Sequence, residues 1–297
     1  MNPEVALLMA EHVLPFAYAE IVETVHRPLA ARLVQIHAAH GRPIVVGVSG
    51  SQASGKTTLC AFLELLLGEA GLKVQTLSID NLYLSKPRRQ ALAGHTHPLL
   101  VTRGPPGTHD IPLGHAVLDL LTGARPSPVR RMPRFDKAAD TLAPEREWPP
   151  LAGPVDVVMF EGWCVGARPQ PQAALLEPVN ALERDEDPQA VWRAYVNTHL
   201  ANDYAGLFAR IDALVMLKAP DFDAVFAWRA LQEKKLGDRL RATGALTGGR
   251  KLMSDADLRR FLAHYQRLTE WILEEMPARA DVLVELGRGH EVVGMRV

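Results

Sequence analysis

One stretch of the sequence decides the fold: residues 44–59, IVVGVSGSQASGKTTL. It opens on 44–48, an apolar run that is too short for a helix and rich in β-branched residues. Such a run predicts a parallel strand buried on both faces. It continues as 50–57, which matches the pattern G-x-x-x-x-G-K-[ST], and residues 57–67 then have the apolar spacing of a helix. This order predicts a strand, a glycine-rich turn and a helix.

The residue types in this turn indicate that it binds phosphate. Glycines let backbone N–H groups turn inward around an anion, and the helix that follows points its positive end at the same charge. The Lys56 ammonium can reach phosphate oxygens, and the Thr57 hydroxyl can bind Mg²⁺. We therefore predict a site for a nucleoside triphosphate with Mg²⁺. The residues predicted to bind the nucleotide are Gly50, Ser51, Gln52, Ala53, Ser54, Gly55, Lys56, Thr57 and Thr58.

The composition excludes several classes of protein. Of 297 residues, 47% are hydrophobic, and 33 basic residues against 34 acidic ones leave a formal net charge of −1. Such a balance gives no field that would draw the chain onto nucleic acid or an anionic membrane. The sequence contains no apolar run long enough to span a bilayer, and its first residues do not have the form of a signal peptide. With two cysteines, Cys60 and Cys164, we expect a cytoplasmic protein without a disulfide framework.

Strand and helix patterns alternate along the chain, which predicts a parallel sheet covered by helices on both faces. The predicted strands cover 44–48, 73–79, 155–160, 213–217 and 281–286. The predicted helices cover 57–67, 113–121, parts of 171–210, 222–240 and 255–276.

The chain divides into a short leading segment and one large domain. Residues 1–42 have helical apolar spacing interrupted by Pro15 and Pro28, and we expect them to pack on a domain formed by 43–297. Two long irregular stretches, 80–112 and 125–154, contain His, Asp and Arg, which favours substrate-binding loops over disorder.

An acidic residue follows two of the predicted strands. Asp80 ends the strand 73–79 and Glu161 ends the strand 155–160, where parallel sheets bind ligands. Asp80 could act on an attacking hydroxyl or hold a metal through water, or it could simply cap a turn. Glu161 is predicted to be a metal-side carboxylate, because a buried glutamate without a cation is costly.

Three further segments carry candidate residues of lower specificity. The segment 103–110, RGPPGTHD, contains an Arg that could grip a carboxylate or phosphate, although its composition also suits a turn. The segment 130–137, RRMPRFDK, could bind an anion or form a solvated basic face. In the lid region, about 222–250, Arg229 could neutralise charge on a transferred phosphoryl group, whereas Lys234 and Lys235 are expected to face solvent.

Taken in order, these pieces resemble the D-glycerate 3-kinase family, within the phosphoribulokinase, uridine kinase and pantothenate kinase group of P-loop kinases. The similar stretches are GVSGSQASGKTTL, SIDNLYL, RGPPGTHD, MPRFDKAADTLAPEREWP, VVMFEGWCVG, VNTHLANDYAGLFARIDALVMLK, WRALQEKKL and MSDADLRRFLAHYQRLTEWI. The resemblance implies an α/β P-loop NTPase fold, a three-layer α/β/α sandwich with a central parallel sheet. It also implies ATP-dependent phosphorylation of glycerate to 3-phosphoglycerate, with ATP and Mg²⁺ as cofactors.

The resemblance assigns roles to matching positions. Lys56 would hold phosphate, and Thr57 and Glu161 the magnesium. Asp80, the third residue predicted at the metal site, would be the general base. Arg229 would act from the lid. The acceptor region would contain Tyr83, Arg103, His109, Asp110, Arg134 and Lys137. For the carboxylate of glycerate, Arg103 is the first candidate, and Arg134 or Lys137 the second.

Two departures from the family pattern concern the acceptor. The family commonly has a second acid where this chain has Asn81, and it often has a Gly/Arg/Asp-rich stretch where residues 138–145 contain neither Gly nor Arg. Other acceptors therefore stay open: a nucleoside, a pentose phosphate or a pantothenate-like compound. A non-catalytic ATP sensor is a further alternative, and a switch GTPase is disfavoured because the sequence lacks Asn-Lys-x-Asp. We expect a monomer or a homodimer.

Overall fold

Apolar strands alternate with helices along the chain, as the sequence predicts. The computed structural model describes residues 2–242 and 253–297. The strands are β1 (Ile44–Gly50), β2 (Val74–Ser78), β3 (Phe135–Asp136), β4 (Thr141–Leu142), β5 (Val157–Gly162), β6 (Ala213–Lys218), β7 (Val282–Leu286) and β8 (Val292–Arg296). The helices are α1 (Pro3–Glu11), α2 (Tyr18–Ile21), α3 (Arg27–His40), α4 (Lys56–Glu69), α5 (Lys86–His95), α6 (Ile111–Thr122), α7 (Ala181–Glu186), α8 (Val191–His199), α9 (Ala205–Phe208), α10 (Phe222–Ala242) and α11 (Asp255–Glu275).

The central sheet has the strand order β2-β5-β1-β6-β7-β8. β1 lies between β5 and β6 and pairs with both in parallel, and every residue of β1 is buried. β8 is the exception to the predicted parallel sheet, because it runs antiparallel to β7 at the edge. The sequence did not reveal β8, since this strand is short, contains Gly294 and is only half-buried. A mixed sheet with an antiparallel edge strand is common in such folds.

Helices cover both faces of the sheet and give the predicted three-layer α/β/α sandwich. In β5, Val157 and Met159 join one apolar core, whereas Val158 and Phe160 join the other, as the period of two in a strand requires. The first core is completed by residues of α3, α4 and α10, and the second by residues of α6 and α11. None of the helices in the described part of the chain combines the length and the apolar character that crossing a membrane needs.

The leading helices contact the helix that follows the phosphate loop. Val5, Met9 and Val22 pack with Phe62 of α4 in a small core of their own. Pro28 does not break the helix there: residues 18–40 stay helical, and the turn before Pro28 is a π-helical segment, Val22–His26.

The two stretches predicted to be irregular contain secondary structure. Within 80–112 lies α5, which the sequence did not reveal because its face is polar and Pro87 and Gly94 disfavour a helix. The helix is held by Arg89, which is 1% exposed. Within 125–154, β3 and β4 form a short antiparallel hairpin over residues 135–142. This hairpin reaches the cleft described below.

Candidate active site

The carboxyl ends of β1, β2 and β5 meet at one cleft. In the register of the sheet, Ser78 of β2 lies beside Glu161 of β5, and Ser49 of β1 lies beside Gly162. The phosphate loop leaves β1 at this edge, and Asp80 follows β2 there. The cleft has a volume of about 610 Å³. Its lining consists of Gln52, Ala53, Lys56, Thr57, Ser78, Asp80, Tyr83, Arg103, Lys137, Glu161, Gly162, Trp163, Arg229, Gln232, Lys235, Leu236, Met253, Phe261 and Tyr265.

The phosphate loop has the backbone and the unsatisfied groups of an anion site. Gly55 has a φ of 92°, a conformation that favours glycine, immediately before the first turn of α4. The buried hydroxyls of Ser51 and Ser54 and the Gln52 Oε1 have no hydrogen-bond partner within residues 2–242 and 253–297. Buried polar groups without partners are costly, and phosphate oxygens would satisfy the two hydroxyls. The loop therefore fits a nucleotide phosphate.

Lys56 is held inside this loop. Its Nζ donates a hydrogen bond to the Ser51 carbonyl at 2.9 Å. Burial lowers the pKa of Lys56, while the nearby carboxylates of Glu161 and Asp80 oppose that change. A phosphate group in the loop would add a further stabilising charge for the ammonium form.

Asp80 accepts a hydrogen bond at each carboxylate oxygen. Tyr83 Oη donates to Oδ1 at 2.6 Å, and Lys137 Nζ lies 2.6 Å from Oδ2. Burial acts to raise the pKa of Asp80, but the Lys137 charge and these two hydrogen bonds together hold the pKa below its ordinary value. Asp80 is therefore ionised at neutral pH, which is the state that a general base needs.

Glu161 is fixed at the end of a buried strand. Its side chain is 7% exposed, and it lines the cleft together with Thr57. Gly162 lets the chain turn away beside Ile79, because a Cβ at this position would lie 2.3 Å from Ile79 Cγ2. Carboxylate and hydroxyl oxygens are ligands that Mg²⁺ prefers, so Glu161 and Thr57 form a suitable pair.

Part of the predicted acceptor region lines the cleft. Tyr83, Arg103 and Lys137 are all in the lining. Arg103 forms an ion pair with Asp140, and its guanidinium lies 5.5 Å from the centre of the Phe135 ring. No local pattern identifies Asp140, since the contact joins residues 37 positions apart.

Three other predicted acceptor residues lie outside this described lining. His109 is buried behind Tyr83, with ring centres 4.7 Å apart, and burial lowers the pKa of His109 to about 3. Asp110 caps α6 by accepting from the Leu113 N–H at 3.1 Å, and it pairs with Arg88. Arg134 is exposed. Asp110 therefore has the role of a turn residue and helix cap, which is the alternative that the composition of segment 103–110 also suited.

The Thr58 side chain, which was predicted to bind nucleotide, points toward the leading helices. Its Oγ1 lies 3.5 Å from His12 Nδ1. Thr58 follows Thr57 in α4, and successive helix residues face directions about 100° apart. Thr58 is therefore not in the described lining of the cleft.

One face of α10 lines the cleft. Arg229 lines the cleft and pairs with Glu233 at 2.8 Å. Gln232 and Leu236 lie on the same face, at a spacing of three and seven residues, and this spacing could have identified them. Lys235, expected to face solvent, is exposed but borders the cleft, whereas Lys234 pairs with Asp238. Residues 243–250 of the predicted lid lie outside the described residues.

α11 supplies cleft residues that the sequence did not identify. Tyr265 donates a hydrogen bond to the Arg103 carbonyl at 2.8 Å, and its ring packs edge-on against Trp163. Phe261 of the same helix also lines the cleft. These residues read as ordinary apolar positions of an amphipathic helix, so the pattern alone could not separate them from the core.

Comparison with known proteins identifies relatives of this chain. No family model matches the chain. The chain is 32% identical over 234 residues to an uncharacterized kinase of Schizosaccharomyces pombe, covering 76% of the chain and 79% of that protein. It is 31% identical over 230 residues to the chloroplastic D-glycerate 3-kinase of Arabidopsis thaliana, covering 75% of the chain and 46% of that protein.

A solved structure of similar fold also comes from a D-glycerate 3-kinase. The D-glycerate 3-kinase of Cryptococcus neoformans superimposes with a TM-score of 0.72 at 26% identity, covering 92% of this chain and 99% of that one. The two relatives are thus similar to this chain in sequence over about three quarters of its length, and the solved structure is similar to it in fold. The chain belongs to the D-glycerate 3-kinase family of P-loop kinases.

Proposed function

We propose that this kinase transfers the γ-phosphoryl group of ATP to the 3-hydroxyl of D-glycerate. The observation that carries the proposal is the single cleft in which Lys56, Thr57, Asp80 and Glu161 lie together, with Arg103 on its acceptor side. A phosphate loop facing a base and a metal-side carboxylate suits phosphoryl transfer to an alcohol. The names of the D-glycerate 3-kinase relatives support glycerate as the acceptor.

The phosphate side of the cleft would hold ATP and Mg²⁺. The loop amides and Lys56 would bind the phosphates. Thr57 and Glu161 would hold the metal, and Asp80 lines the same cleft. When bound, Mg²⁺ would supply positive charge against the phosphate oxygens. The chain's own contribution is to position both substrates and to neutralise charge through Lys56 and Arg229.

Asp80 would act as the general base that takes the proton of the acceptor hydroxyl. Its carboxylate is ionised, half-buried and fixed by Tyr83, so it can accept the proton of the acceptor hydroxyl as the new bond to phosphorus forms. Because Tyr83 and Lys137 each bond one oxygen of Asp80, the acceptor hydroxyl would use a remaining lone pair of the same carboxylate. A carboxylate on the acceptor would find the Arg103 guanidinium on the same side of the cleft.

A panel of acceptors tests this function. Release of ADP from ATP and Mg²⁺ is measured with D-glycerate, pantothenate, uridine and ribulose 5-phosphate, each against a blank without acceptor. We expect glycerate to stimulate release most. Stimulation by another compound instead would replace glycerate, and the absence of stimulation by any of them would favour an ATP sensor.

The compartment, the oligomeric state and the partners of this kinase are also proposals. Cys60 and Cys164 are both buried free thiols, which suits a reducing compartment such as the cytoplasm. We propose a monomer or homodimer that acts on small molecules, without nucleic acid or membrane as a partner.

A further inference from the structure

A partly buried ion-pair cluster adjoins the acceptor side of the cleft. It consists of Arg89 of α5, Arg103 of the loop that follows, and Asp140 of the hairpin 135–142. One carboxylate oxygen of Asp140, Oδ1, receives both guanidinium groups: Arg89 Nη2 lies 2.8 Å away, and Arg103 Nη1 is paired with the same atom. Arg89 is 1% exposed, whereas Arg103 is 26% exposed and lines the cleft.

Arg89 fixes Asp140 in place. Its Nη2 also donates to the Asp140 carbonyl at 2.8 Å, its Nε donates to the Leu84 carbonyl at 3.1 Å, and its Nη1 donates to the Val101 carbonyl at 2.5 Å. Asp140 has a φ of 54°, a conformation in which Asp and Asn are among the tolerated residues. The hairpin is thus tied to the loop 80–112 at the position that holds Arg103.

Asp140 and Phe135 together fix the direction of the Arg103 guanidinium. Asp140 takes one of its five N–H donors, and the Phe135 ring lies 5.5 Å from its central carbon. Within residues 2–242 and 253–297, the structure gives the side chain of Arg103 no other hydrogen-bond acceptor. Since the side chain lines the cleft, its remaining donors can serve a ligand there.

The charge of this cluster matches one carboxylate. Two guanidinium charges against one carboxylate leave a single net positive charge, while Lys137 is matched by Asp80. A monocarboxylate would neutralise the cluster. A phosphate ester, close to a dianion at neutral pH, would leave a negative charge unmatched, and a neutral nucleoside would leave the cation without a partner.

We propose that Asp140 is a positioning residue for the acceptor: it holds Arg103 toward the cleft and so selects a small hydroxy acid with one carboxylate. This inference rests on the proposed function. It gives the hairpin 135–142 a part in acceptor recognition.

The substitution Asp140→Asn tests the proposal. Asn tolerates the same backbone conformation and keeps an oxygen, but it removes the charge that holds Arg103. We expect the KM for glycerate to rise roughly ten- to a hundredfold, the scale of a lost charge-assisted hydrogen bond, with the KM for ATP within about twofold of the parent. Equal rises in both KM values, or an unchanged KM for glycerate, would overturn the proposal.

A matched control removes another carboxylate that is paired with an arginine. Asp212 pairs with Arg42 at 2.6 Å and is 12% exposed, but it precedes β6 at the opposite end of the sheet. Asp212→Asn is therefore expected to change neither KM by more than about twofold. If it raised the glycerate KM as Asp140→Asn does, the effect of Asp140 would be a general loss of structure, and the positioning role would be wrong.

A second variant keeps the test decisive if Asp140→Asn does not fold. Arg103→Lys leaves Arg89 and Asp140 intact, but an ammonium group lacks the planar fork of donors. We expect a rise of roughly tenfold or more in the glycerate KM, and adding Asp140→Asn, where it folds, to increase that KM by less than about threefold further. A glycerate KM for Arg103→Lys within twofold of the parent would overturn the proposal.

The acceptor panel separates the failure of this inference from failure of the proposed function. No stimulation of the parent enzyme by glycerate contradicts the proposed function. Stimulation of the parent by glycerate, with unchanged KM values in both variants, contradicts only the role of Asp140. Faster turnover of ribulose 5-phosphate or uridine than of glycerate would overturn the charge argument directly.

Discussion

Asp80 combines the position and the charge state of a base. Tyr83 and Lys137 bond its two oxygens, and the pKa of its carboxyl lies below the ordinary value despite burial. Asp80→Asn keeps the shape, but its amide accepts from only one of Tyr83 and Lys137 and cannot take up a proton. We expect turnover to fall by about two orders of magnitude or more, with the KM for ATP changed only a few-fold.

Asp110→Asn is the matched control for that measurement. Asn also caps helices, so the cap on α6 is preserved, and Asp110 lies outside the described lining of the cleft. Its turnover is expected to stay within about threefold of the parent. Turnover of Asp80→Asn within a few-fold of the parent would exclude Asp80 as the base.

Gly104 shows how a single position joins the acceptor loop to α11. Its φ is 116°, and a Cβ there would lie 2.2 Å from Tyr265 Oη. Gly104→Ala therefore strains the backbone and displaces the tyrosine. We expect a loss of roughly 2 kcal/mol or more in the free energy of unfolding, measured by denaturant titration.

Gly94→Ala provides the comparison. Gly94 lies in α5, with open space around the added methyl group and without a positive φ. Alanine is a better helix former, so this variant is expected to gain up to about 1 kcal/mol. Equal stability of the two variants would contradict the close contact between Gly104 and Tyr265.

At the scale of elements, the leading helices depend on a neutral histidine. His26 packs against Tyr18 and Phe62, and burial lowers its pKa from 6.5 to about 4. Because the folded pKa lies below the unfolded one, His26 contributes its full stability above pH 6.5, and that contribution is lost as the pH falls toward 4. The loss amounts to about 3 kcal/mol.

Replacing His26 by Phe tests this pH dependence. Between pH 7 and pH 4, the free energy of unfolding of His26→Phe should fall by about 3 kcal/mol less than that of the parent. His95→Gln, at an exposed position of α5, should fall as the parent does. The same fall in the parent and in His26→Phe would show that His26 is not buried as described.

α10 is the element that we expect to respond to ligands. One of its faces lines the cleft through Arg229, Gln232 and Leu236. Closure over both substrates would exclude water from the phosphoryl group. We therefore expect hydrogen exchange in peptides from α10 to slow most when a non-hydrolysable ATP analogue and glycerate are both present. Equal protection by either ligand alone would contradict closure by α10.

At the scale of the whole molecule, local patterns predicted the frame of the site. The buried strands, the phosphate loop and the two carboxylates follow from short stretches, because parallel strands end at one edge of a sheet. The contacts that complete the site join distant positions. Asp140 lies 37 residues from Arg103, and Tyr265 lies 162 residues away from it. A single sequence carries no local signal for such pairs.

The same distinction explains the elements that were missed. β8 is a short edge strand, and α5 is a polar helix held by the buried Arg89 rather than by an apolar stripe. Tertiary contacts outweigh local propensity in both. His109 and Asp110 were predicted to lie in the acceptor region, but His109 is buried behind Tyr83 and Asp110 caps a helix.

The central claim is that one cleft brings the γ-phosphoryl group of ATP to a primary hydroxyl of glycerate. The most direct measurement is ³¹P NMR of the enzyme with ATP, Mg²⁺ and D-glycerate. We predict ADP together with a phosphomonoester whose phosphorus couples to two equivalent or nearly equivalent CH₂ protons, giving a triplet. A doublet, from phosphate on the secondary hydroxyl, or ADP accompanied only by inorganic phosphate, would contradict the claim.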